Sequence, residues 1–320
     1  MRTLLTALAI CLSLSANAEM TDSYVNGNNN HANSIIGNLY VDDYTFHYNK
    51  PHLIVRHMGA DHASTIPQYD VGYYTGFDPT GNRYYTTRSA KDGQLWEGVN
   101  AYQMQGSQTG IMINSWSFPE KAVIGGGPHA VWSYLWNPNS SNTPKPWRYL
   151  DGSELTVQAL IKAPHAAYWN GGVGQVSFVI YGQDISNSSH PKLLAYLINI
   201  YDNRGSYQYN IGNDGSPFVS TPIENNPVVS QSQFSHGFQS QPWSQYKFFR
   251  AHISESNLIN AINLLNQNSG YNYMSTDPRD YQITSIHVLV EIFEVGTAEA
   301  SIGVAIDQVG LLSCKNQMCN

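Results

Sequence analysis

The chain has 320 residues and a net charge of −7, because 16 lysines and arginines stand against 23 acidic residues. Charged residues make up only 12% of it, about half of the usual share of roughly 25%, so no basic surface for nucleic acid is expected. Hydrophobic residues reach 42%, which excludes an intrinsically disordered chain.

The first 18 residues are typical of a secretory signal peptide. Arg2 precedes the apolar run Leu4–Leu14, and Ala16-Asn17-Ala18 supplies small residues for cleavage. This run is too short to span a bilayer, and no later stretch of the sequence is long enough and apolar enough to do so. The sequence therefore predicts a secreted protein, extracellular or periplasmic, without a membrane span.

After the signal peptide, residues 19–34 are rich in asparagine and show no periodicity, which predicts a flexible leader. Residues 35–320 are predicted to form one domain. Pro51–Met58 is a candidate strand. Val71–Phe77 and Arg83–Thr87 flank a turn with proline at its second position and glycine at its fourth, so they are predicted to pair as a hairpin.

The second half of the chain contains longer strand-like runs. Glu154–Lys162 alternates, with Leu155, Val157, Ala159 and Ile161 on one face. Further strands are predicted at Gly174–Gly182, Lys192–Tyr201, Tyr246–Ile253, Gln282–Val295 and Ala300–Leu312.

One helix stands out among these strands. Glu255–Gln267 carries an apolar stripe at helical spacing, and Ser254 precedes it as a candidate N-cap. A parallel α/β fold would need a helix after nearly every strand. The pattern instead predicts an all-β protein, an antiparallel β-sandwich of jelly-roll or concanavalin-like type with one short helix near residues 255–267.

The closing segment Ile302–Leu311 places an apolar run before Asp307 and apolar residues after it. It resembles the last strand of jelly-roll carbohydrate-binding modules and concanavalin-like sandwiches. That resemblance implies the same fold, a glycan ligand and Asp307 as a calcium ligand. A structural calcium would also suit the oxygen-rich turn Asp202–Gly205, although such turns are more often plain turns.

An aromatic cluster lies in the loop-rich middle of the chain. Trp136, Trp147 and Trp169 each stand beside asparagine, proline or glycine, and Tyr168 precedes the last of them. Aromatic rings together with polar loop residues suit a carbohydrate site. The alternative is that these tryptophans are buried in the core.

Glu291 is the strongest candidate for a catalytic carboxylate, because it interrupts an apolar strand. Glycoside hydrolysis commonly uses two carboxylates, and Glu154 and Asp184 are possible partners. A surface glutamate paired with lysine or arginine is the alternative.

Only Cys314 and Cys319 remain after signal cleavage, and an oxidising compartment favours a disulfide between them. The first functional hypothesis is a secreted glycan-binding protein with an aromatic-lined surface. The second is a polysaccharide-cleaving enzyme, a hydrolase or a lyase, that uses Glu291. The third is a secreted effector or adhesin that binds a host protein.

Overall fold

The computed structural model describes most of the second half of the chain and single strands of the first half. The described residues are 19–25, 51–57, 74–77, 83–91, 94–103, 109–114, 128–148, 152–163, 168–186, 192–205, 207, 209–213, 216–268, 274–293 and 299–315. Within them the chain forms two β-sheets, one α-helix and one short 3-10 helix. The prediction of an all-β fold with one helix is confirmed.

The strands, numbered in chain order, are short in the first half and long in the second. They are β1 (Glu19–Val25), β2 (Pro51–His57), β3 (Tyr74–Phe77), β4 (Arg83–Lys91), β5 (Gln94–Gln103), β6 (Thr109–Asn114), β7 (Pro128–Leu135), β8 (Glu154–Ala163), β9 (Tyr168–Asn170), β10 (Val173–Asp184), β11 (Lys192–Asp202), β12 (Asn210–Asn213), β13 (Pro217–Pro222), β14 (Ser230–Gln231), β15 (Trp243–Ser254), β16 (Tyr281–Phe293) and β17 (Glu299–Lys315).

The larger sheet has ten strands, in the order β14-β15-β8-β17-β6-β5-β4-β3, with β1 and β9 also paired to β17. The smaller sheet has seven strands, in the order β12-β13-β11-β10-β16-β7-β2. The described strand pairs are antiparallel except for β11 with β13. The predicted hairpin is confirmed, because β3 and β4 pair antiparallel.

The core lies between the two sheets and follows the alternation of the strands. Leu155, Val157, Ala159 and Ile161 of β8 have no exposed surface, as the sequence predicts for one face of a half-buried strand. They belong to the same buried cluster as Phe178 of β10 and its neighbours in the smaller sheet. Each sheet therefore has one core face and one face that points away from the core.

Helix α1 (Glu255–Gln267) follows β15 without a loop and starts at the predicted N-cap, Ser254. The Ser254 hydroxyl accepts a hydrogen bond from the Asn257 backbone, and the Asn257 side chain accepts one from the Ser254 backbone. This reciprocal pair satisfies two backbone donors of the first turn. Leu258, Ile262 and Leu265 point into the core.

The segment after the predicted signal peptide differs from the prediction. Glu19–Val25, predicted as part of a flexible leader, is strand β1 and pairs with the C-terminal half of β17. The edge of β17 supplies backbone partners there, so a segment without hydrophobic periodicity becomes a strand.

The predicted signal peptide and Cys319 are not among the described residues, so the disulfide to Cys314 stays a prediction.

Candidate functional site

The seven-stranded sheet carries polar side chains on the face that points away from the core, called the outer face below. On β16, Val288, Val290 and Ile292 have no exposed surface and belong to the core. Glu291 alternates with them and is partly exposed. Strand periodicity therefore places Glu291 on the outer face.

Glu291 belongs to a row of three polar residues on neighbouring strands. It lies opposite Gln175 of β10, and Gln175 lies opposite Asp202 of β11. Neighbouring strands are about 4.8 Å apart, so the backbones of Glu291 and Asp202 are separated by roughly 10 Å. Asp202 is thus the second carboxylate of this row.

Asp202 is completely buried, and both of its carboxylate oxygens accept hydrogen bonds. Its Oδ2 accepts a hydrogen bond of 2.6 Å from Gln175 Nε2 and one of 2.6 Å from Arg204 Nη2. Its Oδ1 accepts from the Arg204 backbone and from Arg204 Nε, both at 2.9 Å. The hydrogen bond to Asp202 raises the pKa of Arg204. The turn Asp202–Gly205, for which the sequence analysis considered a calcium ion, is therefore held together by the Arg204 guanidinium.

Tyr207 lies on the same side of the sheet. Its hydroxyl forms a hydrogen bond with Ser220 of β13. Burial is the largest cause that raises the pKa of Tyr207, and the charges of Asp202 and Glu291 add to it, while the Ser220 bond and Arg204 lower it. Tyr207 therefore keeps its proton at neutral pH and lies within electrostatic range of both carboxylates.

More polar pairs cover the outer face beside this row. His287 shares a hydrogen bond of 2.8 Å with Ser285, and Asn199 Nδ2 donates one of 3.2 Å to Ser177. The buried oxygen atoms Ser133 Oγ and Asn199 Oδ1 have no hydrogen-bond partner among the described residues. Buried polar atoms are nearly always satisfied, so each of these two oxygens has room for a further hydrogen-bond partner.

The predicted aromatic site is not assembled by the residues whose side chains are described. Trp136 and Trp147 are only 5% and 2% exposed, and Trp147 Nε1 donates a hydrogen bond of 3.0 Å to the Ile253 carbonyl. Both rings belong to the core and present no open face to a sugar. Tyr168 and Trp169 belong to β9, which pairs with β17; their side chains lie outside the described part.

Neither predicted partner of Glu291 comes close to it. Glu154 is on β8, in the other sheet. Asp184 is at the far end of β10, opposite Tyr281, where its two oxygens accept hydrogen bonds from the Ser186 and Ser275 backbones. Strand position alone shows neither which sheet a strand joins, as for Glu154, nor which end of a neighbouring strand a residue faces, as for Asp184.

Asp307 lies at a bulge of β17 and is 9% exposed. Its Oδ1 accepts a hydrogen bond from the backbone of Gln308, whose φ is +49°. No group of three or more histidine, cysteine, aspartate or glutamate side chains that could hold a metal occurs in the described part of the chain. No such group therefore surrounds Asp307 among those residues, and its calcium role stays a prediction.

Sequence reasoning missed Gln175, Arg204 and Tyr207 as members of this face. The Asp-x-Arg spacing of residues 202 and 204 was the available signal, because an arginine two residues after an aspartate in a turn can reach its carboxylate. The pairing of β10 with both β11 and β16, which brings the row together, has no sequence signal.

No family model and no curated protein matches the chain. Solved structures with some likeness include a family 11 xylanase from Neocallimastix patriciarum (12% identity, TM-score 0.33, 81% of this chain and 99% of that one). Others are a family 12 xyloglucanase from Bacillus licheniformis (11%, 0.35, 78% and 100%) and an endoglucanase from Rhodothermus marinus (9%, 0.34, 78% and 100%). With TM-scores this low, no residue of those enzymes is mapped onto this chain.

No helix of the described residues is long and apolar enough to cross a membrane.

Proposed function

We propose that the protein is a secreted enzyme that cleaves a polysaccharide at the outer face of the seven-stranded sheet, with Glu291 as the reacting carboxylate. The observation that carries this proposal is the row Glu291–Gln175–Asp202. In that row the charge of Asp202 is already paired with Arg204, whereas Glu291 is partly exposed on the same face.

The surroundings of Glu291 suit a nucleophile or a general base. A carboxylate in a row of amides and hydroxyls can attack, or activate water at, a sugar carbon that develops positive charge. Asp202 does not suit the role of the acid, because both of its oxygens accept hydrogen bonds from charged or amide donors. It holds Gln175 and Arg204 in position instead. Tyr207, which keeps its proton because burial raises its pKa, is a described group on this face that can donate a hydrogen bond to a leaving oxygen.

The burial of Trp136 and Trp147 weakens the first hypothesis, a binding protein built on exposed indole rings. Glycan binding without cleavage remains the second candidate, because a partly exposed carboxylate such as Glu291 can also bind the hydroxyl groups of a sugar without reacting. Both candidates place the carbohydrate on the same face.

A host-protein surface has no supporting observation, since the exposed large apolar side chains described are the scattered Leu193, Tyr209 and Phe234.

The deciding experiment is a reducing-end assay of the protein from residue 19 onward against a panel of plant, algal and bacterial polysaccharides. Glu291→Gln is expected to lower the cleavage rate at least about 100-fold, a loss typical of a reacting group. Glu224→Gln, which changes an exposed glutamate in another part of the chain, is the matched control. Cleavage that survives Glu291→Gln would overturn the assignment, and binding without cleavage would favour the second candidate.

A further inference from the structure

A second row of side chains crosses the outer face of the seven-stranded sheet at some distance from Glu291. Tyr181 of β10 lies opposite Ala195 of β11, and Ala195 lies opposite Phe218 of β13. Each of the three is next to a core residue in its own strand, so strand alternation places all three on the outer face. They are called the aromatic row below.

The aromatic row has a ring at each end and only a methyl group between them. Neighbouring strands are about 4.8 Å apart, so the backbones of Tyr181 and Phe218 are separated by roughly 10 Å. Both of these side chains are partly exposed. The row therefore presents two accessible rings on either side of a small apolar residue.

Both rings are held by contacts within the sheet. The Tyr181 ring makes an edge-to-face contact with His287, with 5.3 Å between the ring centres, and His287 is bound to Ser285. The Phe218 ring extends over Gly212 of β12, because a Cβ atom at Gly212 would lie 2.4 Å from Phe218 Cζ, closer than real contacts allow. Rings that are fixed before a ligand arrives lose little entropy on binding.

The outer face between the aromatic row and the row of Glu291 is poor in charge. In the described strands β10, β11, β13 and β16, the outward positions between the two rows hold no aspartate, glutamate, lysine or arginine. At the far end the charge of Asp202 is paired with Arg204. A polymer with carboxylate groups would find no lysine or arginine at these positions and would meet the negative charge of Glu291, so this face favours a neutral chain.

The two rows lie too far apart for one sugar unit to reach both. Gln175, which faces Glu291, and Tyr181 are six positions apart on β10, which is about 20 Å at the rise of a β-strand. A polysaccharide chain of several units can span this distance along the face.

We infer that the aromatic row is a subsite for a sugar ring of a neutral polysaccharide, at a distance of several units from the bond that reacts at Glu291. The C–H groups on the face of a sugar pack on the electron-rich faces of aromatic rings, and few polar groups are then needed to orient it. This inference rests on the proposed function, because it names the substrate class of that reaction.

Affinity electrophoresis tests the inference on the Glu291→Gln protein, which should not degrade the polymer in the gel. Each native gel contains one neutral polysaccharide, which is xyloglucan, mixed-linkage β-glucan or galactomannan, or one anionic polysaccharide, which is polygalacturonate or alginate. Retardation by at least one neutral polymer and by neither anionic polymer is expected. Added salt should not weaken it, because no charge is paired on binding.

Variants of the aromatic row are compared in the same gels. Phe218→Ala and Tyr181→Ala are each expected to weaken binding about fivefold or more, because each removes a stacking ring. Gly212→Ala keeps both rings but displaces that of Phe218, so it should also weaken binding, and it replaces Phe218→Ala if that variant does not fold. Phe234→Ala, which removes a ring that is 72% exposed outside this sheet, is the matched control and should bind like the parent protein.

Binding to the anionic polymers, no binding to any polymer, or row variants that bind like the parent protein would overturn the inference. These results are distinct from those of the cleavage assay. Binding to a neutral polymer without any cleavage by the wild type would contradict the proposed reaction alone. Cleavage of an anionic polymer that requires Glu291 would contradict the neutral substrate alone.

Discussion

The side-chain amide of Gln175 donates a 2.6 Å hydrogen bond to Asp202, while the backbone of Gln175 faces Glu291 on the opposite neighbouring strand. A neutral amide thus separates two carboxylates of one row. Asp202 is also paired with Arg204, so its charge is balanced within its own turn.

The chain contains a second copy of the Asp-x-Arg contact in a different environment. Asp277 accepts hydrogen bonds from the Arg279 backbone and guanidinium in the same pattern as Asp202 and Arg204. The Asp202 side chain has no exposed surface, whereas that of Asp277 is 35% exposed. Asp202→Asn is expected to lower the free energy of unfolding by about 2 kcal/mol, because it removes the charge that pairs with Arg204 and leaves the buried Gln175 amide badly matched.

Asp277→Asn, the matched control, is expected to change stability little, because exposed ion pairs contribute little. Urea unfolding followed by tryptophan fluorescence measures both variants. Equal losses in the two variants would show that burial does not decide the strength of this contact.

Stability is expected to fall on acidification because of His252. This side chain has no exposed surface, and burial, followed by the charge of Arg250, lowers its pKa from 6.5 to about 4. Between these two values the unfolded chain binds a proton that the folded chain does not, so stability is lost as the pH falls from about 6.5 to about 4. The loss amounts to at most about 3 kcal/mol.

Glu154 opposes part of this effect, because burial raises its pKa and the folded state then binds its proton more readily. The measurement is guanidinium chloride unfolding at several pH values between 7 and 4. His252→Gln should flatten the curve relative to the wild type. Curves of identical slope would contradict the contribution of His252.

Trp147→Phe is expected to destabilise the fold by about 2 kcal/mol, because it removes the donor to the buried Ile253 carbonyl and some packing volume. Carbohydrate binding or cleavage, once detected, should be unchanged per folded molecule. Phe234→Ala removes a ring that is 72% exposed, and this control should leave the thermal midpoint unchanged. A loss of ligand affinity in Trp147→Phe at full stability would restore the sequence-based assignment of this tryptophan.

Ser254→Ala is expected to cost about 1 kcal/mol, because it removes the hydroxyl that accepts from the first turn of α1. Thermal unfolding checks this value. Asn263→Ala, at an exposed position in the middle of the helix, should instead raise stability slightly, because alanine is the better helix former. A destabilised Asn263→Ala variant would show that helix propensity does not govern α1.

Local sequence patterns were sufficient to predict helix α1 and the buried faces of strands β8 and β16. The start of the helix after Ser254 could be predicted, because the N-cap and the apolar stripe are local features of the sequence around residues 254–267. The faces of β8 and β16 follow from alternation alone. The site could be predicted only as far as Glu291, since alternation indicates the face of a strand and not its neighbours. Gln175 and Asp202 reach Glu291 through pairing between distant segments, and the buried state of Trp147 depends on the Ile253 carbonyl, 106 residues away.

The position of β17 has a consequence for the order in which the fold can form. The last strand of the described chain lies in the interior of the larger sheet, between β8 on one side and β6 and β1 on the other. Until residues 299–315 are available, β8 and β6 each present an unpaired backbone edge, the kind of edge that invites pairing with other chains. The two parts of the larger sheet on either side of β17 can therefore join only after residues 299–315 have been made. The pairings of β17 also span long sequence separations, which slows folding.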